Sequence, residues 1–370
     1  MSPSTYSNIV IAGGGIIGNS IAYYLAQNHG MACTIIDPVG IAPAASGKAG
    51  GFLASTWSDH DPYVGPLQRR SFDLHETLGS LFGDRTDYRK MTCSSVAVNN
   101  NYSNKKPSSK KLQGLEWADT TNVIGGRPLG DERDIAQVHP KKLCNCLWEE
   151  TVNQVQSQMV KGKIVKAVFN SNKEITGVEL DNGNTIDADA LVIACGPWTD
   201  EARNWFGPEI SGRLPRMLGV KYHSMLVQSS RVLSQAVFFQ GAGDPEVYPR
   251  KDGDSYITGF PDPAQLVQES PGEEEVRKSV IDQLKRAMEL VSTELGGKEP
   301  HTEQACYLPT TQDGRPLIGP IPGVKGAFVA SGHSCWGILN GPATGEAMAE
   351  LLIDGKTTHV DISSLGLERF

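Results

Sequence analysis

One stretch near the start of the chain constrains its fold more than any other. Ile9-Val10-Ile11-Ala12 is a short apolar run that enters Gly13-Gly14-Gly15-Ile16-Ile17-Gly18, and a helical run follows from Asn19 to Gln27. This is G-x-G-x-x-G between strand and helix, the setting in which that motif carries information. Gly13 permits the tight turn, and Gly15 lets backbone amides reach a pyrophosphate at the positive end of the helix. Gly18 lets that helix pack closely on the sheet. Ile16 and Ile17, between the last two glycines, belong to the same candidate contact set. A second strand, Ala32 to Ile36, ends in Asp37, nineteen residues after Gly18. An acid there hydrogen-bonds the ribose hydroxyls of an adenine dinucleotide and repels a 2′-phosphate.

Length and charge narrow the rest. At 370 residues the chain exceeds one simple core, so two lobes are expected. A formal charge of -8 argues against a nucleic-acid partner or an anionic membrane surface. Seven cysteines is an odd number, and their spacing suggests no disulfide framework. Cys144 and Cys146 find no second Cys/His pair, so no metal site is expected. Reduced thiols fit a cytoplasmic location. Met1 to Asn8 lacks the pattern of a signal peptide, and Leu367 to Phe370 is not a peroxisomal signal. No apolar run is long enough to span a bilayer.

Along the chain, nucleotide-binding texture lies at both ends and in the middle. The small-residue loop Ala42 to Gly51 is long and glycine-rich, as functional loops in compact domains are. Ser71 to Phe82 reads as a helix, and His139-Pro140 starts another with proline in its first turn. Asn99 to Lys111 is polar and basic, and reads as a solvated surface loop. Ile164 to Phe169 and Ile175 to Leu180 are strands, and Ala190 to Ala194 is a buried strand of parallel type that meets a second glycine turn, Cys195-Gly196-Pro197-Trp198. From Val220 to Phe260 strands alternate, with a hairpin around Asp252-Gly253. Glu273 to Leu295 reads as an amphipathic helix. Ala327 to Ala330 is a strand, Ser331 to Gly341 a glycine-containing loop, and Ala343 to Ile353 a helix. The expected fold is α/β (α+β overall), a Rossmann-like domain with an interleaved antiparallel-sheet lobe. The first takes residues 1–85, 140–218 and 304–370; the second takes 86–139 and 219–303.

Four segments resemble the D-amino-acid oxidase, glycine oxidase and monomeric sarcosine oxidase superfamily of flavoenzymes: Val10 to Asp37, Ala44 to Gly51, Val192 to Trp198, and Gln304 to Glu350. The last is the most specific. Thr311-Gln312-Asp313-Gly314-Arg315-Pro316-Leu317-Ile318-Gly319, then Gly332-His333, then Pro342-Ala343-Thr344-Gly345, is similar to that family's flavin-closing segment. Tyr248-Pro249-Arg250 with Asp252-Gly253 resembles its substrate-domain hairpin. The resemblance implies bound FAD and oxidation of a C–N bond with hydride passed to flavin N5. The implied partners are a small-molecule amine and oxygen or another electron acceptor.

The same resemblance distributes roles. A helix beginning near Pro342 would aim its amide end at the reduced flavin, with Gly337, Ile338 and Leu339 adding donors. Ser46, Gly47 and Lys48 lie where the family's loop approaches the pyrophosphate and flavin ring, with Cys195, Gly196 and Trp198 beside them. Val165 would contact the adenine edge. His333 is read as a flavin or loop partner, and with Trp336 and Lys48 forms the candidate catalytic set. Cys306 stands seven residues before Asp313, as does a cysteine of sarcosine oxidases that is joined to the flavin 8α carbon. Glycine oxidases have glycine there and a non-covalent flavin, so both outcomes stay open.

The departures bear on substrate. Leu308 occupies the place of a glycine oxidase arginine that clamps the substrate carboxylate. Cys335 replaces a second arginine, and Trp336 a sarcosine oxidase lysine. Lys48, Arg250 and Arg315 are the substitutes available. Leu308, Cys335 and Trp336, with Trp57 and Tyr256, instead suggest an apolar or aromatic pocket. After Gly259-Phe260-Pro261 no lysine stands where sarcosine oxidases carry their oxygen-activating one. That admits a dehydrogenase using another acceptor beside the oxidase reading, and a non-catalytic FAD-binding regulatory or trafficking protein as a third.

Overall fold

The computed structural model describes residues 6–99 and 115–370. Except for Asn99, the polar run at 99–111 lies outside the described residues. The first layer is a six-stranded sheet in the order Leu317–Pro320, Ala327–Ser331, Ala190–Ile193, Ile9–Ala12, Cys33–Asp37, Gln158–Lys161. All neighbours are parallel except the first pair. Its central strands are continuously apolar because both faces are covered. Ile9 and Ile11 face one core with Ala190 and Val192, whereas Val10 and Ala12 face another with Leu191 and Ile193.

Helices Ile16–His29 and Gly337–Asp354 pack on the first of these faces. Their approach is close because glycine allows it: a Cβ on Gly345 would lie 2.5 Å from the Ser20 backbone.

The second layer is a seven-stranded sheet in the order Thr302–Thr310, Leu218–Gln228, Asp254–Gly259, Glu246–Pro249, Gln235–Gln240, Thr92–Val98, Val123–Gly130. Residues 304–310, assigned by sequence to the nucleotide-binding lobe, therefore form an edge of the other sheet. Period-two alternation divides its faces. Met225, Val227, Val237, Phe239, Val247 and Ile257 pack toward the helix Lys278–Val291. Leu226, Ala236, Phe238, Tyr248 and Tyr256 face the opposite way, toward the first layer. The Asp252-Gly253 hairpin is present, with Gly253 at φ +93°.

Two helix boundaries differ from expectation for physical reasons. The 273–295 helix contracts to Lys278–Val291, because Glu274 is drawn away to Lys48 and the Glu275 amide donates to Glu269. The C-terminal helix begins at Gly337 and carries Pro342 inside it. Proline has no N–H, so the Ile338 carbonyl loses its helical partner. His75 repairs the gap: its Nε2 donates to the carbonyls of Ile338 at 2.9 Å and Leu339 at 3.2 Å. The Ala343 amide, freed from its usual acceptor, donates to Ser71 Oγ at 3.0 Å. Ser71 and His75 lie one turn apart on the helix Val64–Phe82, which starts well before the expected Ser71.

Candidate functional site

The two layers enclose a cleft of about 430 Å³ that runs from the glycine turn to the start of the Gly337–Asp354 helix. At one end the turn is shaped by what it lacks. Gly13 sits at φ +112°, and a Cβ there would lie 2.4 Å from the Ala194 carbonyl; one on Gly18 would lie 2.0 Å from the Gly13 carbonyl. Ser46 Oγ accepts from the Ile16 amide at 2.9 Å, tying the small-residue loop to the helix start. Gly13, Gly15, Ile16, Ile17, Asp37, Ser46, Cys195, Gly196 and Trp198 all line the cleft. Asp37 does more than the motif implies. Its carboxylate accepts from the amides of Gly14, Val39 and Gly40, each at 2.8 Å. It therefore holds the loop around the cleft as well as facing it.

Gly18, Gly47, Lys48, Val165, Cys306 and Leu339 lie outside the cleft lining. Val165 is 40% exposed, and the adenine end is lined instead by Gly162, Lys163 and Ile164. Strand alternation is the reason: Ile164 turns inward, so Val165 turns out. Gly47 packs against the Ala42 carbonyl and Lys141, which leaves no room for a Cβ. Lys48 turns from the cleft to a buried ion pair with Glu274 and donates to the Ala305 carbonyl at 3.1 Å.

At the far end the first helical turn points into the cleft, with Gly337 and Ile338 in its lining and no side chain capping its amides. Such a terminus favours negative charge. His333 is buried beside it, and burial pulls its imidazole down to about 3. Its Nε2 meets Thr344 Oγ1 at 3.0 Å, and its backbone bridges Thr310. A neutral His333 thus braces the helix against the edge strand. Cys306 is buried, and burial with the Glu274 charge pushes its thiol up to about 12. It sits among Glu274, Lys48 and Tyr256, outside the cleft lining.

Opposite this helix stands an aromatic wall. Tyr248 stacks between Phe52 at 5.2 Å and Tyr256 at 5.9 Å between ring centroids. Trp57 meets Trp336 edge-on at 5.9 Å and Phe238 at 5.1 Å. Cys335 and Leu308 line the cleft nearby. Trp57, Tyr256 and Trp336 thus belong to one aromatic cluster, and none of the three is in the cleft lining. Phe52, Phe238 and Glu246 were not singled out, and Tyr248 only as part of the hairpin, although alternation along 246–248 with the hairpin turn puts Glu246 and Tyr248 on one face.

The candidate replacement clamps are all engaged elsewhere. Lys48 holds Glu274. Arg250 donates to the Ala49 carbonyl at 2.9 Å beneath the Tyr256 ring. Arg315 pairs with Asp61 at 2.6 Å. Among the described residues no cluster of His, Cys, Asp or Glu is arranged to hold a metal ion, and no helix is long and apolar enough to cross a membrane.

The chain matches the family described as FAD dependent oxidoreductase, DAO, across residues 8–351. It belongs to the DAO family of FAD-dependent oxidoreductases. A Schizosaccharomyces pombe protein named as an oxidoreductase is 30% identical, with 99% of each chain covered. Glycine oxidase of Geobacillus kaustophilus is 26% identical, covering 98% of this chain and 97% of that one. The crystal structure of glycine oxidase from the same organism superposes with a TM-score of 0.81 at 21% identity, covering 99% of both chains. This FAD-dependent oxidoreductase has the cradle its cofactor requires. The glycine turn leaves space where any Cβ would collide, Asp37 and Ser46 face that space, and the bare amides of the Gly337 turn close its other end.

Proposed function

We propose that this oxidoreductase oxidises the C–N bond of an amine or amino-acid-like small molecule, with oxygen taking the electrons and leaving as hydrogen peroxide. When bound, FAD supplies a hydride acceptor at N5. The chain's own residues do the rest. The first turn of the Gly337–Asp354 helix favours the negative charge that reduction creates. His333 positions that turn through Thr344 and, being neutral, adds no competing charge. The wall of Trp57, Tyr248, Tyr256 and Trp336 excludes water and holds the reacting carbon against the cofactor. The substrate nitrogen must be neutral to release hydride, so turnover rises with pH until the amine is deprotonated. One observation supports this reading: Trp336, the residue before the uncapped helix start, packs edge-on against Trp57 of the aromatic wall.

The acceptor has a second reading. Lys48 is locked by Glu274 and so is not a free cation of the kind that activates oxygen, which favours a carrier other than oxygen. The cytoplasm suits the seven free thiols. The test is anaerobic mixing of the FAD-loaded protein with a panel of amines and amino acids, followed by oxygen. Bleaching of the flavin band by at least one amine, with rapid return in oxygen, supports the oxidase. Bleaching with sluggish return supports the carrier. No bleaching by any amine refutes C–N oxidation.

A further inference from the structure

The sheet face that carries the aromatic wall also carries a carboxylate, Glu246. Glu246 pairs in register with Phe238 on one side and Thr258 on the other, and shares a sheet face with Tyr248 two residues on. That face turns toward the first layer, with Trp57 and Trp336 packed on it. The Glu246 carboxylate accepts a hydrogen bond from the Tyr248 hydroxyl. No lysine, arginine or histidine is among the groups that act on it. It remains partly exposed, and it lies close enough to Cys335 for its charge to help push that thiol up to about 11. Cys335 lines the cleft, so Glu246 stands near the cleft though outside its lining.

Partial burial pushes the Glu246 carboxyl above its usual range, so its anion is disfavoured until something positive joins it. The surrounding rings select the same sign. Aromatic faces carry negative potential, which repels an anion and attracts a cation. At the two positions where glycine oxidases place arginine, this chain has Leu308 and Cys335, and Lys48, Arg250 and Arg315 are engaged elsewhere. The pocket is thus inverted in charge relative to one that holds a carboxylate.

We propose that the substrate carries a second, positively charged nitrogen, an ammonium or alkylated ammonium group, seated between Glu246 and the rings of Phe238 and Trp57. This rests on the C–N oxidation proposed above and specifies its substrate class. The nitrogen that is oxidised is neutral; the one held by Glu246 is charged.

A quaternary ammonium tests the site without turnover, because it has no nitrogen lone pair to assist hydride loss. Pentyltrimethylammonium and hexanoate are titrated separately into the FAD-loaded protein, with quenching of tryptophan fluorescence and perturbation of the flavin band as readouts. The cation should bind, and hexanoate should bind at least about tenfold more weakly. Glu246→Gln should weaken the cation by about ten- to a hundredfold and leave hexanoate no weaker. Trp57→Leu should weaken the cation alone by several-fold, and it serves if the glutamine variant loses its flavin. Equal binding of hexanoate, or undiminished cation binding by a flavin-loaded Gln variant, overturns the proposal. If hexanoate matches the cation while amines still bleach the flavin, the cation site is refuted and C–N oxidation stands. If the cation binds through Glu246 but no amine bleaches the flavin, the cation site is supported and C–N oxidation is refuted.

Discussion

His75→Leu tests whether the proline inside the cofactor-facing helix is held by its neighbour. Wild-type His75 satisfies two buried carbonyls, those of Ile338 and Leu339, which Pro342 and the diverted Ala343 amide leave without helical donors. Leucine fills similar space but donates nothing. Each buried acceptor left unpaired costs about 1–3 kcal/mol, so the variant should lose about 2–4 kcal/mol at neutral pH. The effect should also depend on pH. Burial pulls the His75 imidazole from 6.5 down to about 4, so the proton binds the unfolded chain better than the folded one. Wild-type stability from this residue is therefore whole above pH 6.5 and falls as pH drops toward 4. Each pH unit in that window is worth about 1.4 kcal/mol, so roughly 3 kcal/mol disappears from the wild type alone.

The stability gap between wild type and His75→Leu should thus be wide at pH 7 and nearly closed at pH 4.5. Urea unfolding of both FAD-loaded proteins at the two pH values measures it. His333 and His139 also lose stability on acidification, since burial lowers both imidazoles, but they are present in both chains and cancel in the difference. A gap that stays constant between pH 7 and 4.5 would refute the neutral, doubly donating His75. A variant as stable as wild type at pH 7 would refute the role of the two carbonyls.

Other perturbations separate structure from chemistry. Lys48→Met leaves the fully buried Glu274 side chain unpaired, so urea unfolding should show a loss of about 3–5 kcal/mol; if turnover instead fell at unchanged stability, Lys48 would be catalytic after all. Acid precipitation should release the yellow flavin into the supernatant, and Cys306→Ala should keep its flavin, because a thiol pushed up to about 12 is a poor source of thiolate; yellow in the pellet would contradict this. Gly18→Ala places a methyl 2.0 Å from the Gly13 carbonyl and should abolish retention of FAD, read from the absorbance of the purified protein.

The parts legible in the sequence were those set by local rules. Val10 and Ile11 pack on opposite faces of a parallel strand, so an unbroken apolar run was a reliable sign. Gly13 and Gly18 announced a turn because no other residue fits there. What stayed hidden depends on partners far along the chain. The start of the last helix was misjudged by five residues because proline argues for a boundary. Only His75, some 260 positions earlier, lets Pro342 sit inside. The ends of the 273–295 segment were misjudged because Glu274 answers to Lys48, not to its own helix.

The substrate pocket shows the same division from the other side. That Leu308 and Cys335 stand where a carboxylate clamp is expected can be read from the chain alone, and it says only what the pocket does not bind. The positive statement needed the sheet. Glu246 is unremarkable beside Val247 and Tyr248 until the register sets it across from Phe238, on the sheet face that turns to the first layer. Its surroundings then determine what the residue means: on an open surface a carboxylate finds water, and here a half-buried one finds the Tyr248 hydroxyl and neighbouring aromatic rings. Under the proposal such a pocket is not merely less specific. It prefers a cationic ligand, because the same desolvation that would reject a carboxylate beside Glu246 strengthens its hold on an ammonium group.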